Sequence, residues 1–411
     1  MSRNVLRKVI TPMVHRILLV LIGTISLSGC VREPELHLYD WDTPYIELPM
    51  VNLQLDIYWN YELGFGINYD WRSEWYYGRD EDGMPGWDDE DRRIFGELEY
   101  EEPSRFYLRR YFTGDVSCGT RIKKQSPYYL EGKVLHTTFD WGFWDILAWN
   151  DVKTLDGIQS LHFDEKDNLD EHITAYTKES PNAVRYHAPR YQHAFYQPEQ
   201  LFSACEQGIE INRNLDGFTY DEERKMWIRK LKMMLEPITY IYLPQLILHN
   251  NKNLETGIDR ITSVPGVANL SGMARSADLN TGVAGKDAVA VNFSVRMKQD
   301  KKWENGETVD IIGGRLMTFG ICGQNANRVS RADESIDSEH HYLDITVQFY
   351  NGMDSTIVFD VTDQVRQRYK GGVITVELNM NEVPIPQRPG GSGFNAVVKD
   401  FEEEGPYEFD M

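Results

Sequence analysis

Val51, Leu53, Leu55, Ile57, Trp59 and Tyr61 alternate with Asn52, Gln54, Asp56, Tyr58 and Asn60. A period of two sustained over eleven residues puts one face of an extended chain into a core and the other outside it. An amphipathic helix has a period of 3.6 and cannot produce that pattern. Further along, Val289, Val291, Phe293, Val295 and Met297 repeat it. The fold class is therefore all-β.

Shorter β-branched and aromatic runs fill the rest of the chain: "SRFYLRRYF" (104–112), "KVLHTTF" (133–139), "FWDILAWN" (143–150), "GIQSLHFD" (157–164) and "HITAYTK" (172–178). Gly, Asn, Asp and Pro separate them, which points to a β-sandwich and not to βαβ units. "RLMTFGI" (315–321) and "GGVITVELNM" (371–380) add strands, and "YLDITVQFYNGMDSTIVFDV" (342–361) reads as a hairpin turning at Asn351-Gly352. Pro198-Glu199-Gln200 is expected to open a single helical turn. "DEERKMWIRKLKMMLE" (221–236) admits a helix of four turns, or a strand running into "PITYIYLPQLIL"; its β neighbours favour the strand.

The first thirty residues have a different logic. Arg3, Arg7, Lys8 and Arg16 precede the apolar stretch Ile17 to Ile25, small residues follow, and the run stops at Cys30. That is too short for the roughly 20 apolar residues of a membrane span and is laid out like a secretory signal. Leu27-Ser28-Gly29-Cys30 resembles the lipobox of bacterial lipoproteins. The resemblance implies cleavage before Cys30, a diacylglycerol on its thiol and a further acyl chain on the new amino terminus. Two or more chains anchor stably where one does not. Val31, not Asp, follows the cysteine, so retention at the inner membrane is not suggested. Residues 1–29 are thus the signal peptide and 30–50, polar and Pro-bearing, the lipidated tether.

About 380 residues remain, more than one ordinary core requires, and they suit two domains. The expected division is 51–208, with an acidic, aromatic insertion at 62–103, then 209–389, then a tail at 390–411. Net charge is −21, and loss of the basic leader takes it to about −25. Such a surface repels phosphate backbones and anionic head groups, so nucleic acid is excluded as a partner and the lipid must hold the membrane.

Catalytic and metal motifs are missing. "NTGVAGKD" has Asn280 and Asp287 at two required places of a phosphate loop. "DEDGMPGWDDED" (80–91) offers Met84 at a calcium-ligand position, so its acids read as a solvated loop. His340 and His341 are strand neighbours that point to opposite faces, so they cannot easily share an ion. Cys118, Cys205 and Cys322 form no CxxC pair, and no disulfide is assigned. No cofactor or metal is expected, and the chain is expected not to be an enzyme.

Several segments in order resemble the fimbrillin-associated anchor lipoproteins of Bacteroidales: the lipobox at Cys30, "VNLQLDIYW", "GFWDILAWND" (142–151), "YQPEQLFSA", "LEPITYIY" (235–242), "ANLSGMARSADLNTG" (268–282) and "GGSGFNAVVKDFEEE" (390–404). The resemblance implies two tandem transthyretin-like β-sandwich domains, lipid-anchored at the outer membrane and acting without catalysis as a fimbrial anchor, tip or accessory subunit in adhesion. It also implies assembly with fimbrial subunits by strand addition. Phe394, Ala396 and Val398, beyond a Pro/Gly hinge, are the candidate donor strand; an edge strand of the second domain is the other reading. The insertion departs from the family pattern. Its Trp71, Trp75 and Trp87 sit among polar residues with no strand pattern to bury them, which opens an alternative function as a glycan-binding surface.

Overall fold

In "YIYLPQLILH" polar residues are too few for a strand with one wet face, and the strand Tyr240–His249 is buried on both. Tyr240, Tyr242, Leu246 and Leu248 enter one core, while Ile241, Leu243 and Ile247 enter another. The computed structural model describes residues 51–59 (backbone), 70–79, 87–114, 123–124, 128–131, 134–139, 142–152, 159–165, 172–183, 191, 193–211, 214–325 and 340–387. These all belong to one compact unit, residues 50–411, and the architecture is all-β with mostly antiparallel pairing.

The chain builds one sheet entirely before Ile238 and a second mostly after it. The first runs Lys123–Lys124, Arg105–Phe112, Gly142–Asn150, Phe202–Ile211, Met226–Pro237, Val51–Trp59, Val134–Thr138, with Tyr128–Glu131 on Arg105–Phe112 and Thr219–Asp221 on Met226–Pro237. Only Phe202 and Ser203 join Phe202–Ile211 to Met226–Pro237. The sheet folds over at that narrow join, and Phe106, Leu108, Trp144 and Ile146 meet Leu135, Met233 and Leu235 in one core. Met226–Pro237 is a strand, as its neighbours suggested, but it completes this first sheet and does not open the next.

The second sheet runs Ile261–Ser263, Tyr342–Phe349, Val267–Ala274, Ala288–Lys302, Thr308–Gly314, Tyr240–His249, Leu316–Thr318, with Asp354–Asp360 and Gly372–Asn379 branching from it. The earlier strand His193–Tyr196, itself paired with Glu179–Ala183, lies parallel on Ala288–Lys302. The pivot of the sheet is Ala288–Lys302. The first half pairs with Val267–Ala274 and the second half with Thr308–Gly314, which folds the sheet around the core of Phe293, Leu343, Ile345, Ile374 and Val376. Pro244 is tolerated in its central strand because of a gap. Tyr240–Tyr242 pair with Leu316–Thr318 and Gln245–Leu248 with Asp310–Gly313, so the antiparallel partner changes across Pro244, where no donor is needed. A small sheet of Leu161–Glu165, Ile173–Thr177 and Ser276–Asp278 covers Tyr111, Leu147 and Trp149 on the far side of the first sheet.

Both sheets share one topological device. Each holds a long parallel pair: Val51–Trp59, the first strand of its sheet, with Met226–Pro237, the last, and Tyr240–His249, the first strand after Ile238, with Gly372–Asn379, the last. Gly371 makes the second contact possible. Its φ of +92° suits glycine, and a Cβ there would strike the carbonyl of Ile241.

The helical turn expected at Pro198-Glu199-Gln200 does not form. Glu199 is buried, and its carboxylate accepts from Ser160 N (2.5 Å), Ser160 Oγ (2.6 Å) and Leu161 N (2.9 Å). Three bonds to a distant strand end outweigh one local turn.

Candidate functional site

Cys30 and the trio Phe394, Ala396 and Val398 lie outside the described residues. The aromatic insertion is partly described, and its rings correct the expectation of an exposed sugar platform. Trp71 is 3% exposed, Trp75 0%, and Trp87 half-buried. Asp70 caps the short helix Trp71–Glu74 by accepting from Arg72 N, and Trp71 points inward from it. Trp75 packs against Tyr77 (centroids 5.3 Å apart) and edge-on to Trp87 (6.2 Å), and Trp87 stacks on Phe95 (5.2 Å). The Trp87 indole N–H is satisfied by the Gly96 carbonyl at 2.9 Å. Faces so occupied have none left for a pyranose ring.

The surface they cover is the outer side of the second sheet. Residues 70–79 and 87–100 lie across it as a strap, contributing Trp71, Trp75, Tyr77, Phe95 and Tyr100 to the core that holds Ile241, Leu243, Ile247, Val309 and Ile311. Gly313 leaves room for the Tyr77 ring, which a Cβ would strike. Gln245, fully buried in the apolar strand, fastens the strap's backbone. Its Oε1 accepts from Tyr76 N (3.0 Å) and Tyr77 N (3.1 Å), and its Nε2 donates to Glu74 O (2.7 Å) and Thr375 Oγ1 (2.9 Å). All four hydrogen-bonding positions of the amide are filled. The polar letter inside "YLPQLIL" was the available signal for this residue.

The acids at 88–91 do more than solvate a loop. Asp88 and Asp91 form a capping box on the helix Asp89–Phe95, and Asp91 is fully buried. Arg296 and Lys298, two apart on one face of Ala288–Lys302, reach it. Arg296 Nη1 donates to Asp91 Oδ1 at 2.5 Å, Lys298 Nζ to Asp91 Oδ2 at 2.6 Å, and the Tyr77 hydroxyl to Asp91 Oδ1 at 2.7 Å. Glu90 and Asp88 take the outer donors, Arg296 Nη2 at 2.5 Å and Lys298 Nζ at 3.1 Å. Partial burial raises the Asp88 carboxyl, but the Asp91 amide, Lys298 and Arg296 together hold it down at about 2. Burial, then the Asp91 charge, pushes the Tyr77 hydroxyl far up, so it stays a donor. The arrangement is a fastening between strap and sheet.

His249, at the end of the central strand, sits between two carboxylates: Nδ1 is 3.0 Å from Glu307 and Nε2 2.9 Å from Glu377. Trp303 lies edge-on to its ring. Burial lowers the imidazole pKa, but the two carboxylates outweigh it and raise the value. Both ring nitrogens donate only in the cation, so the clip contributes stability below the unfolded histidine value of about 6.5 and loses it as pH rises through the folded one. His249→Gln is expected to flatten the fall of Tm with rising pH across that window. Wild-type and variant Tm–pH curves that run parallel would refute the clip.

Other candidates resolve simply. His340 is exposed, 3.5 Å from Asp360, and His341 is fully buried, so the neighbours do part to opposite sides. Cys205 and Cys322 are free thiols; Cys118 lies outside the described residues. Among the described residues no cluster of His, Cys, Asp or Glu is arranged to hold a metal, and no helix is long and apolar enough to cross a membrane.

No family model and no curated protein matches the chain. Solved structures do. A proposed adhesin from Bacteroides ovatus is similar at 13% identity and a TM-score of 0.44, over 87% of this chain and 95% of that one. The fimbrial anchor protein Mfa2 from Porphyromonas gingivalis is similar at 10% and 0.37, over 80% and 90%. The tip fimbrial protein Mfa3 from the same organism is similar at 7% and 0.28, over 76% and 82%. These three structural neighbours are thus a proposed adhesin, a fimbrial anchor protein and a tip fimbrial protein, from Bacteroides and Porphyromonas.

Proposed function

We propose that the chain is a non-catalytic outer-membrane lipoprotein, held at the cell surface by lipid on Cys30, that serves as a fimbrial anchor, tip or accessory subunit. The observation that carries this reading is the use made of its reactive-looking groups. Asp91, Glu199, Gln245 and the tryptophans at 71 and 75 are all occupied in fastening one part of the fold to another, as a scaffold would use them. Two tandem transthyretin-like β-sandwiches account for two folded-over sheets, each holding a long parallel pair. The donor strand is Phe394, Ala396 and Val398, which follow the described residues after the Pro/Gly hinge and would supply alternate side chains to a neighbour's sheet edge. Lipid at Cys30 is the membrane contact.

Two variants test this in the native bacterium. Cys30→Ser is expected to move the protein from the membrane fraction to the soluble one. Deletion of 391–411 is expected to leave it membrane-bound but no longer co-purifying with fimbrial subunits. Retention of the serine variant in membranes would sink the anchor, and unchanged co-purification of the truncated form would sink the donor strand.

A further inference from the structure

We infer that the two parallel strand pairs are mechanical clamps in series, placed on the chain so that tension between its ends shears them. The inference rests on the proposed anchoring at Cys30 only for where tension comes from; the geometry stands by itself. The chain enters the first sheet at Val51 and leaves it at Pro237, and these residues belong to neighbouring parallel strands. The register runs from Val51 opposite Trp227 to Trp59 opposite Leu235 without a shift. A pull that enters at Val51 and exits at Pro237 therefore drags the strands past each other along their axes. The ladder bonds then bear the load together. Pulled instead from the same end of both strands, the pair would open one bond at a time.

The second sheet, which also holds His193–Tyr196 from earlier in the chain, repeats the layout in its strands after Ile238. Tension enters it at Tyr240 and leaves at Asn379, and the strands that carry those residues are parallel from Tyr242 opposite Gly372 to His249 opposite Asn379, again without a shift. Between the clamps lie only Ile238 and Thr239, both buried. Ile238 N donates to Leu201 O, the Thr239 carbonyl accepts from the Tyr100 hydroxyl at 2.5 Å, and Thr239 Oγ1 accepts from Leu201 N at 3.0 Å. Such a junction transmits force with little slack. A protein fixed to a membrane by one end and loaded at the other gains from this order of strands, because forced unfolding is governed by the unfolding barrier along the pulling direction.

Single-molecule force spectroscopy on residues 31–411 tests the inference, with one handle ahead of Val51 and the other either after Met411 or on the exposed side chain of Glu223. The first geometry shears the Val51–Trp59 and Met226–Pro237 pair. The second unzips it, because Glu223 lies just before the end of Met226–Pro237 that faces Val51. End-to-end pulling is expected to need roughly two to three times the force, as many ladder bonds yield together where unzipping breaks them singly. It is also expected to give two ruptures, releasing on the order of 60 and 45 nm of chain at ~3.5 Å per residue. Equal forces in the two geometries, or end-to-end rupture at the lower force, would overturn it. The unlipidated chain is used, so this result is independent of the Cys30→Ser fractionation.

Discussion

Trp75→Ala is expected to lower the stability of the protein by about 3–5 kcal/mol, the range for truncating a large buried aromatic. Trp75 is completely buried, in contact with Tyr77 and Trp87, at the centre of the face where strap meets sheet. Its removal leaves a cavity that the strap cannot collapse into, because Gln245 fixes the backbone of Tyr76 and Tyr77 immediately beyond it. Trp75→Phe is the informative companion. The indole N–H is buried without an acceptor, so phenylalanine deletes an unsatisfied donor along with some volume and is expected to cost under about 1.5 kcal/mol. Urea denaturation of the three proteins measures both figures. A loss under about 1 kcal/mol for Trp75→Ala would mean that the ring is not part of the core, and would reopen the case for an exposed binding surface.

The same contact explains what the sequence could and could not disclose. Strands with one dry face announce themselves by alternation, and Val51–Trp59 and Ala288–Lys302 were legible on that basis, while the hairpin was legible from its Asn351-Gly352 turn. Thr308–Gly314 was not. "TVDIIGG" carries a buried aspartate and two glycines, and one of these is there to admit Tyr77 from a segment more than 200 residues earlier. Asp91 looked like one acid in a solvated run because its cations arrive from Arg296 and Lys298, which no local pattern links to it. Trp71 and Trp75 had no period of their own, since the face that buries them belongs to another sheet. The helix Thr362–Gln367 lacked a start signal: Val361 at its N-cap supplies no side-chain bond. For Thr308–Gly314, Asp91, Trp71 and Trp75 the missing information was a long-range partner, and nothing short of the assembled sheet supplies it.

Asp91→Ala is expected to be as costly as the tryptophan truncation, about 3–5 kcal/mol, because removing one member of a buried ion pair leaves the others desolvated and unpaired. Here three donors lose their buried acceptor at once: the Arg296 guanidinium, the Lys298 ammonium and the Tyr77 hydroxyl. Asp88 still reaches Arg296 Nη1 and Lys298 Nζ, each at 3.1 Å, and Glu90 still reaches Arg296 Nη2, but both acids are half-exposed and neither supplies an acceptor at the bottom of the cluster. Arg296→Met with Lys298→Met in the Asp91→Ala background is expected to recover much of the loss, since the uncompensated charges go while the apolar stems are retained. That recovery separates a charge fastening from a mere helix cap. Loss of the capping box alone would cost about 1 kcal/mol and would be indifferent to the state of residues 296 and 298. Acid supplies an independent handle. Asp88 is held at about 2, below its unfolded value near 3.9, so its share of stability is present above that value and disappears as pH falls toward 2. Asp88→Asn is therefore expected to flatten the acid limb of the stability curve while leaving the neutral plateau much less affected than Asp91→Ala does. If the triple variant is no more stable than Asp91→Ala alone, the cations are not what Asp91 is holding, and the strap is fastened by its apolar face and Gln245 only.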